Sequence, residues 1–373
     1  MDLFVYGTLR CQTLMQAVSG RDVAPIPAKL QGFCVHPVKD HIVPMIRADA
    51  NGVADGVVYA DLDERQIARL DLYEGAFGYA LIDVSVMTDT GARAAKMYLP
   101  PAGQPFDATS WSLAAWEKEH LQPTLFTVAE IFALQPHPTP TVLRQMWPVI
   151  EKRAWAKHRA MAEDSGPATL RQDPAQDDVT ITQMGPPLGH FFRLQPFDLD
   201  HARFDGNRSE TLTREVFMGV DAAMILPYDP VRDRVLLVEQ LRMGPLLRRD
   251  PNPWALEPIA GMVDARETPL EAAIREGMEE ANLSFDKIEA MPPHYPSPGA
   301  STDFFYCYLG LCDLPMSDAY TGGLIDEAED LRLHSLPFED AMALIDSGEI
   351  RIGVLITMLY WLARERDRLR SSA

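Results

Sequence analysis

Five charged side chains between residues 267 and 280 are spaced so that they can act together. After Gly261 come five residues, Glu267, seven residues, Arg275-Glu276, two residues, and Glu279-Glu280. Thr268, Pro269 and Glu271 have the order of a helix start: Thr268 at the N-cap, Pro269 in the first helical position, Glu271 closing a capping box. At 100° per residue, Glu276, Glu279 and Glu280 fall within an arc of about 100°. Carboxylates gathered in this way suit a hard divalent cation such as Mg²⁺, whose ligands are carboxylates, waters and substrate phosphates. Leu270, Ile274, Met278 and Ala281 share the opposite side, beside the small Ala273 and Gly277, and this side is expected to pack into a core. The same residues could instead make a solvated acidic face held by Glu271–Arg275 and Arg275–Glu279 pairs. Asn282, at the helix end, tolerates the left-handed backbone that such a position needs.

The elements around this helix set its context. A chain of 373 residues, 47% hydrophobic, is expected to form two domains with full cores. A formal charge of −20 argues against nonspecific nucleic-acid binding and against anionic membranes, although an acidic cluster that holds a cation still binds phosphates. Cys11, Cys34, Cys307 and Cys312 have neither zinc spacing nor the density of a disulfide framework, so reduced thiols and a cytoplasmic location are expected. The first residues lack a basic, apolar, cleavable leader. The apolar run 354–363 is too short to cross a bilayer and reads as a buried terminal helix.

Short strands are expected at 2–6, 56–61, 80–87 and 93–99, with a helix at 64–72. A helical stretch at 124–161 is interrupted by Pro136, Pro138 and Pro140. The polar run 163–178 is the best linker. Strands resume near Val179 and continue at 222–226, 235–241, 304–309 and 331–335, ahead of a helical end. The expected division is a small domain over 1–121, a helical extension and linker over 122–177, and a mixed sheet with outer helices over 178–373.

The spacing from Gly261 to Glu280 resembles the signature of Nudix hydrolases, which use divalent metal to split nucleoside diphosphates linked to a second group. Gly277 stands where that signature carries a bulky aliphatic residue, and Asn282 where it carries glycine. The resemblance extends over about 179–365. Arg214-Glu215-Val216-Phe217, Leu226 to Pro230, Glu239-Gln240-Leu241-Arg242, Trp254 to Gly261, and Ser297-Pro298-Gly299 are similar to bacterial ADP-ribose pyrophosphatases. This implies an α/β/α sandwich with a mixed sheet and hydrolysis of ADP-ribose to AMP and ribose 5-phosphate. It implies Mg²⁺ or Mn²⁺ held by Glu276 and Glu280, with Glu279 and the carbonyl of Ala260. Arg214 and Arg242 would contact phosphate. Glu327, in Asp326-Glu327-Ala328-Glu329-Asp330, would be the catalytic base, with Glu329 as its substitute. It also implies a homodimer in which residues near 190–217 build the partner's adenine pocket. Two other readings stand beside it: hydrolysis of another nucleoside diphosphate sugar, and a sensor that binds ADP-ribose without turnover.

Val5-Tyr6-Gly7-Thr8-Leu9-Arg10 resembles the opening loop of the γ-glutamylcyclotransferase-like family, and Leu70 to Gly75, Tyr79 and Tyr98-Leu99-Pro100 extend the likeness. A glycine after a strand exposes successive N–H groups that cradle an anion. The resemblance implies a small β-barrel with helices, a substrate carboxylate held at Tyr6, Gly7, Thr8 and Leu9, and Glu74 as the base that releases 5-oxoproline. Ala80 replaces an arginine frequent in that family, so the alternative is a dimerisation or gating module. Chains joining these two domain types resemble proteins associated with tellurite resistance.

Overall fold

The computed structural model describes all residues except 40–41, 164–165, 173–174, 176, 316–318, 324–328 and 373. The chain divides into two units, Met1–Phe191 with Asp198–Thr211, and Phe192–Phe197 with Leu212–Ala373.

Alternation of side chains builds the first unit. On β1 (Leu3–Val5), Phe4 points one way and packs with Leu30, Ile46, Val58 and Met97, while Leu3 and Val5 point the other way. The outward pair meets Leu14 and Val18 of α1 (Gln12–Ser19). β2 (Pro25–Pro37) and β3 (Pro44–Tyr59) form a long antiparallel hairpin. Its register shifts between Gln31 and Phe33, where Gly32 takes φ +79°, a left-handed conformation suited to a bulge. α2 (Glu64–Gly75) begins in a capping box made by Asp63 and Gln66 and buries Leu70 and Tyr73. β4 (Ala80–Thr88) and β5 (Gly91–Leu99) complete the order β1-β3-β2-β4-β5, and β5 returns parallel to β1 at Leu3↔Lys96. Closing the barrel leaves no free sheet edge.

α3 (Leu113–Ala133) and α4 (Pro140–Ala162) follow, with Thr139 capping the second and Pro140 opening it. The helical stretch is thus broken at 134–139, where prolines 136 and 138 stand. Arg153 and Glu130 join the two helices: Nη2 lies 2.6 Å from Oε1, both side chains are buried, and Arg153 Nη1 donates to the Phe191 carbonyl. The pairing keeps either charge from standing alone in the interior. β6 (Val179–Met184), β7 (Arg193–His201) and β8 (Leu212–Met218) lead from one unit to the other.

The second unit is a mixed sheet between helices. β9 (Asp221–Asp229) is its centre and is buried almost throughout. β10 (Arg234–Leu241) meets β9 only near the turn, at Arg234↔Asp229 and Val235↔Tyr228. After α5 (Met243–Arg248), β11 (Trp254–Glu257) pairs with β10 and β12 (Ile259–Met262) pairs with β9. α6 (Pro269–Ala281), β13 (Lys287–Ala290), β14 (Phe304–Leu311), β15 (Ala319–Gly322) and β16 (Leu331–Pro337) follow, then α7 (Phe338–Ser347) and α8 (Gly353–Ser371). The main order is β13-β14-β9-β10-β16-β15, with β14 parallel to β9. Residues of β10 alternate between two cores: Leu236 and Val238 pack with Ala272 and Ala273 of α6, and Val235 and Leu237 pack with Phe338 of α7 and Leu355 of α8. This is the α/β/α sandwich expected. Among the described residues, no helix is long and apolar enough to cross a membrane.

Candidate functional site

Helix α6 starts and stops as its residue types require. The Thr268 hydroxyl accepts from the Glu271 N–H at 3.2 Å, and the Glu271 carboxylate accepts from the Thr268 N–H at 2.8 Å. At the other end Asn282 adopts φ 51°, ψ 40°. The inward face differs from the expected one. Leu270, Ile274 and Met278 are exposed, at 41%, 47% and 47%, while Ala272, Ala273, Glu276, Gly277, Glu280 and Ala281 are buried. The helix approaches the sheet through its smallest residues, so the long aliphatic side chains cannot face inward. Gly277 has a local reason: a Cβ there would stand 2.5 Å from the ring of Phe285.

The approach is tightest at Gly261 on β12, where a Cβ would lie 1.7 Å from Glu276 Oε1. Arg275 organises the surrounding charge. Its Nε and Nη2 donate to Glu267 at 2.9 and 3.0 Å, and its Nη1 donates to Glu276 at 2.6 Å and Glu279 at 2.9 Å. Glu271 is occupied by the cap, so the expected Glu271–Arg275 pair gives way to Glu267–Arg275. Burial nevertheless raises the Glu276 carboxyl above its ordinary range.

Glu280 is the most buried of these acids, 2% exposed. Burial first, then the charges of Glu276 and Glu329, pushes it up to about 9, although it accepts the Ala260 N–H and feels Arg242. Its Oε2 is buried without a hydrogen-bond partner among the described residues. Such an orphaned oxygen beside a second buried carboxylate fits a hard cation, which would satisfy it where no protein donor does. Among the described residues, no three His, Cys, Asp or Glu side chains stand close enough to enclose an ion by themselves, because Arg275 draws Glu276 and Glu279 to itself.

The other residues named from sequence divide into two groups. Arg242 is close enough to act on Glu280 electrostatically, and it pairs with Glu257 on β11 at 2.7 Å. Glu257 was not anticipated: its partner is 15 residues away in sequence and is met only through the β10–β11 register. Arg214 lies exposed on β8, its Nη1 donating to the Thr213 carbonyl, and no described contact joins it to the α6 carboxylates. Glu327 lies outside the described residues. Of its flanks, Gly323 donates its N–H to the Glu280 carbonyl at 3.2 Å, and Glu329 acts electrostatically on Glu276 and Glu280.

The first unit carries a separate cavity of about 80 Å³, lined by Tyr6, Gly7, Thr8 and Leu9 on one side and by Tyr73, Glu74, Phe77, Tyr79 and Tyr98 on the other. Gly7 is held within 2.8 Å (from a built Cβ) of Pro44, and the chain turns at once into a 3₁₀ turn, Thr8–Arg10. The N–H groups of Thr8 and Leu9 precede its first internal bond, Arg10 N–H to Gly7 carbonyl. Tyr6 donates to the Tyr98 carbonyl at 3.2 Å, and Tyr98 donates to Asp71 at 2.6 Å. Glu74 lines the cavity and is half-buried, and burial pushes its carboxyl up to about 8.

A mixed sheet between α6 and the α7–α8 pair, with glutamates of α6 set against a glycine of the sheet, defines a Nudix hydrolase, a class that generally uses divalent metal ions. Residues 218–352 match the NUDIX domain, and residues 3–117 match the gamma-glutamyl cyclotransferase, AIG2-like family. An ADP-ribose pyrophosphatase of Escherichia coli is 32% identical over 196 residues, 52% of this chain and 93% of its own. That of Haemophilus influenzae is 32% identical over 200 residues, 53% and 92% of the two chains. A GDP-mannose pyrophosphatase of Yersinia pestis is 29% identical over 172 residues, 46% and 85%. A crystal structure of an ADP compounds hydrolase aligns with TM-score 0.40 and 20% identity, over 52% of this chain and 98% of the other. The chain belongs to the ADP-ribose pyrophosphatase family of Nudix hydrolases, with a γ-glutamylcyclotransferase-like barrel as its N-terminal domain.

Gly261→Ala is expected to displace Glu276 and lower diphosphatase activity by about 10–100-fold, the range for groups that orient metal ligands, with little change in far-ultraviolet circular dichroism. Wild-type turnover in this variant would show that Glu276 moves freely. The first unit should answer to pH. Between the ordinary glutamate value of 4.5, where the unfolded chain ionises, and about 8, where folded Glu74 does, the folded state holds one more proton. The Glu74 contribution to stability therefore falls as pH rises across that window and levels off above it. Denaturant titrations should show this fall in the wild type and its absence in Glu74→Gln.

Proposed function

We propose that the second domain hydrolyses ADP-ribose to AMP and ribose 5-phosphate with Mg²⁺. The observation that carries this reading is the buried, unpartnered Oε2 of Glu280 beside Glu276, in a chain 32% identical to ADP-ribose pyrophosphatases. Glu276 and Glu280, with Glu279 and the carbonyl of Ala260, would hold the ion. When bound, Mg²⁺ (or Mn²⁺) supplies positive charge to the diphosphate oxygens and acidifies water. Arg242, which acts electrostatically on Glu280, steadies a phosphate as a planar donor to its oxygens. Glu327, between Gly323 and Glu329 in sequence, takes the proton of the attacking water; the water oxygen bonds to one phosphorus as that phosphorus's bond to the bridging oxygen breaks, and the other phosphate leaves with the bridging oxygen and its sugar.

Arg214 serves the site of a second copy in this reading. Residues near 190–217 complete the partner's adenine pocket in a homodimer, and the half-exposed rings of Phe191 and Phe192 support an interface there. The four free cysteines support a cytoplasmic location. A second substrate reading, another nucleoside diphosphate sugar, is favoured by the 29% identity to a GDP-mannose pyrophosphatase. In the first domain, Glu74 serves as the base of a γ-glutamylcyclotransferase, removing a proton from the α-amine of a γ-glutamyl group. Its burial among Tyr73, Tyr79 and Tyr98 supports this, because it brings the carboxyl near neutrality.

Purified protein with Mg²⁺ should release AMP and ribose 5-phosphate from ADP-ribose faster than it cleaves GDP-mannose. Glu280→Gln should reduce this to background, and Glu327→Gln should lower kcat by about 10²–10⁴-fold. Light scattering of the same sample should give twice 41.7 kDa. Preference for GDP-mannose would establish the second reading, and no cleavage of either would refute both. Release of 5-oxoproline from γ-glutamylamines, lost in Glu74→Gln, is expected of the first domain; its absence in the wild type leaves the barrel as a binding module.

A further inference from the structure

Glu257 is a buried acid that the proposed reaction does not use. It is 8% exposed and sits on β11 opposite Val238, so it shares the sheet face covered by α6. One of its oxygens, Oε2, accepts from Arg242 Nε at 2.7 Å and Gln240 Nε2 at 3.1 Å, and Arg242 Nη2 also lies 2.7 Å from it. Gln240 lies on the same face two residues along β10, so a neutral amide and a guanidinium converge on one carboxylate.

Arg242 is unevenly held. Its N–H donates to the Pro253 carbonyl at 3.0 Å, and its carbonyl accepts the Leu246 N–H as α5 begins. Its guanidinium is tied along the Nε–Nη2 edge, yet the side chain remains 42% exposed. Nη1 has no hydrogen-bond partner among the described residues, and the guanidinium acts electrostatically on Glu280. Here the acid is buried and the base keeps an exposed edge. A free arginine would lose much side-chain freedom on gripping an anion, and one already oriented loses less.

We infer that Glu257 is the positioning residue of the site, fixing the plane of Arg242 so that its outer N–H donors meet the substrate diphosphate. Gln240 supports it by holding the same oxygen. The inference rests on the diphosphatase reading for the anion that Arg242 meets.

The full chain tests it in a four-member cycle of wild type, Glu257→Gln, Arg242→Ala and the double variant, assayed with ADP-ribose and Mg²⁺. Glu257→Gln is expected to raise KM about tenfold, the equivalent of one charge-assisted hydrogen bond, with a smaller change in kcat. The double variant should be no worse than Arg242→Ala, because the carboxylate acts through that guanidinium. Glu257→Asp, which keeps the charge, should recover part of the loss and carries the same cycle if the glutamine variant fails to fold. A wild-type KM in Glu257→Gln, or single effects that multiply in the double variant, overturns the positioning role. Should the wild type cleave no nucleoside diphosphate sugar, the diphosphatase reading fails separately. Calorimetric binding of ADP to the same four proteins then decides this one: coupled weakening supports it and independent weakening overturns it.

Discussion

The second domain depends on how closely α6 lies against β12. Gly261 has no room for a β-carbon because the Glu276 carboxylate occupies that space, and the helix meets the sheet through Ala272, Ala273, Gly277 and Ala281. From that distance the rest follows. Glu276 and Glu280 must point into the protein, the longer Leu270, Ile274 and Met278 must point out, and a charged residue is required to offset the acids. Arg275 does this by reaching Glu267, Glu276 and Glu279 at once, which anchors the loop before the helix to the helix itself.

Arg275 compensates this burial only in part. Glu280 keeps an oxygen with no donor and a carboxyl raised far above its ordinary range, a state that opposes folding and that a stability-optimised core would avoid. Groups left unsatisfied in this way are characteristic of sites whose missing partner arrives with the ligand. Here the missing partner must be positive and must accept oxygen ligands. Arg242, which acts electrostatically on Glu280, is already committed on one edge to Glu257.

The parts of this arrangement that local chemistry controls were legible in the sequence. The capping box at Thr268 and Glu271, the left-handed Asn282, and the strands at 222–226 and 304–309 follow from residue type and short spacing. What was not legible depends on distance in three dimensions. A helix with leucine, isoleucine and methionine on one side reads as burying that side, and only the backbone of β12 lying against it shows why alanine and glycine go inward instead. β2 was missed because Pro25, Pro27 and Pro37 interrupt its pattern, although its pairing with β3 makes the longest hairpin of the barrel. The Glu257–Arg242 pair was hidden for a similar reason, since a cross-strand register brings it together.

The two domains use one physical device toward different ends. In each, a carboxyl is raised by taking it out of water: Glu74 among tyrosines to about 8, Glu280 beneath α6 to about 9. Their surroundings differ in sign. Glu74 stands among phenols, with no second carboxylate among the described residues that line its cavity, and burial is the cause of its shift. Glu280 has Glu276 and Glu329 beside it, and their charge adds to burial in opposing ionisation. A carboxyl in that position becomes an oxygen ligand only when positive charge enters with it. One barrel and one sandwich thus bury a carboxyl in surroundings of different charge, and each carboxyl is raised by its own domain's packing.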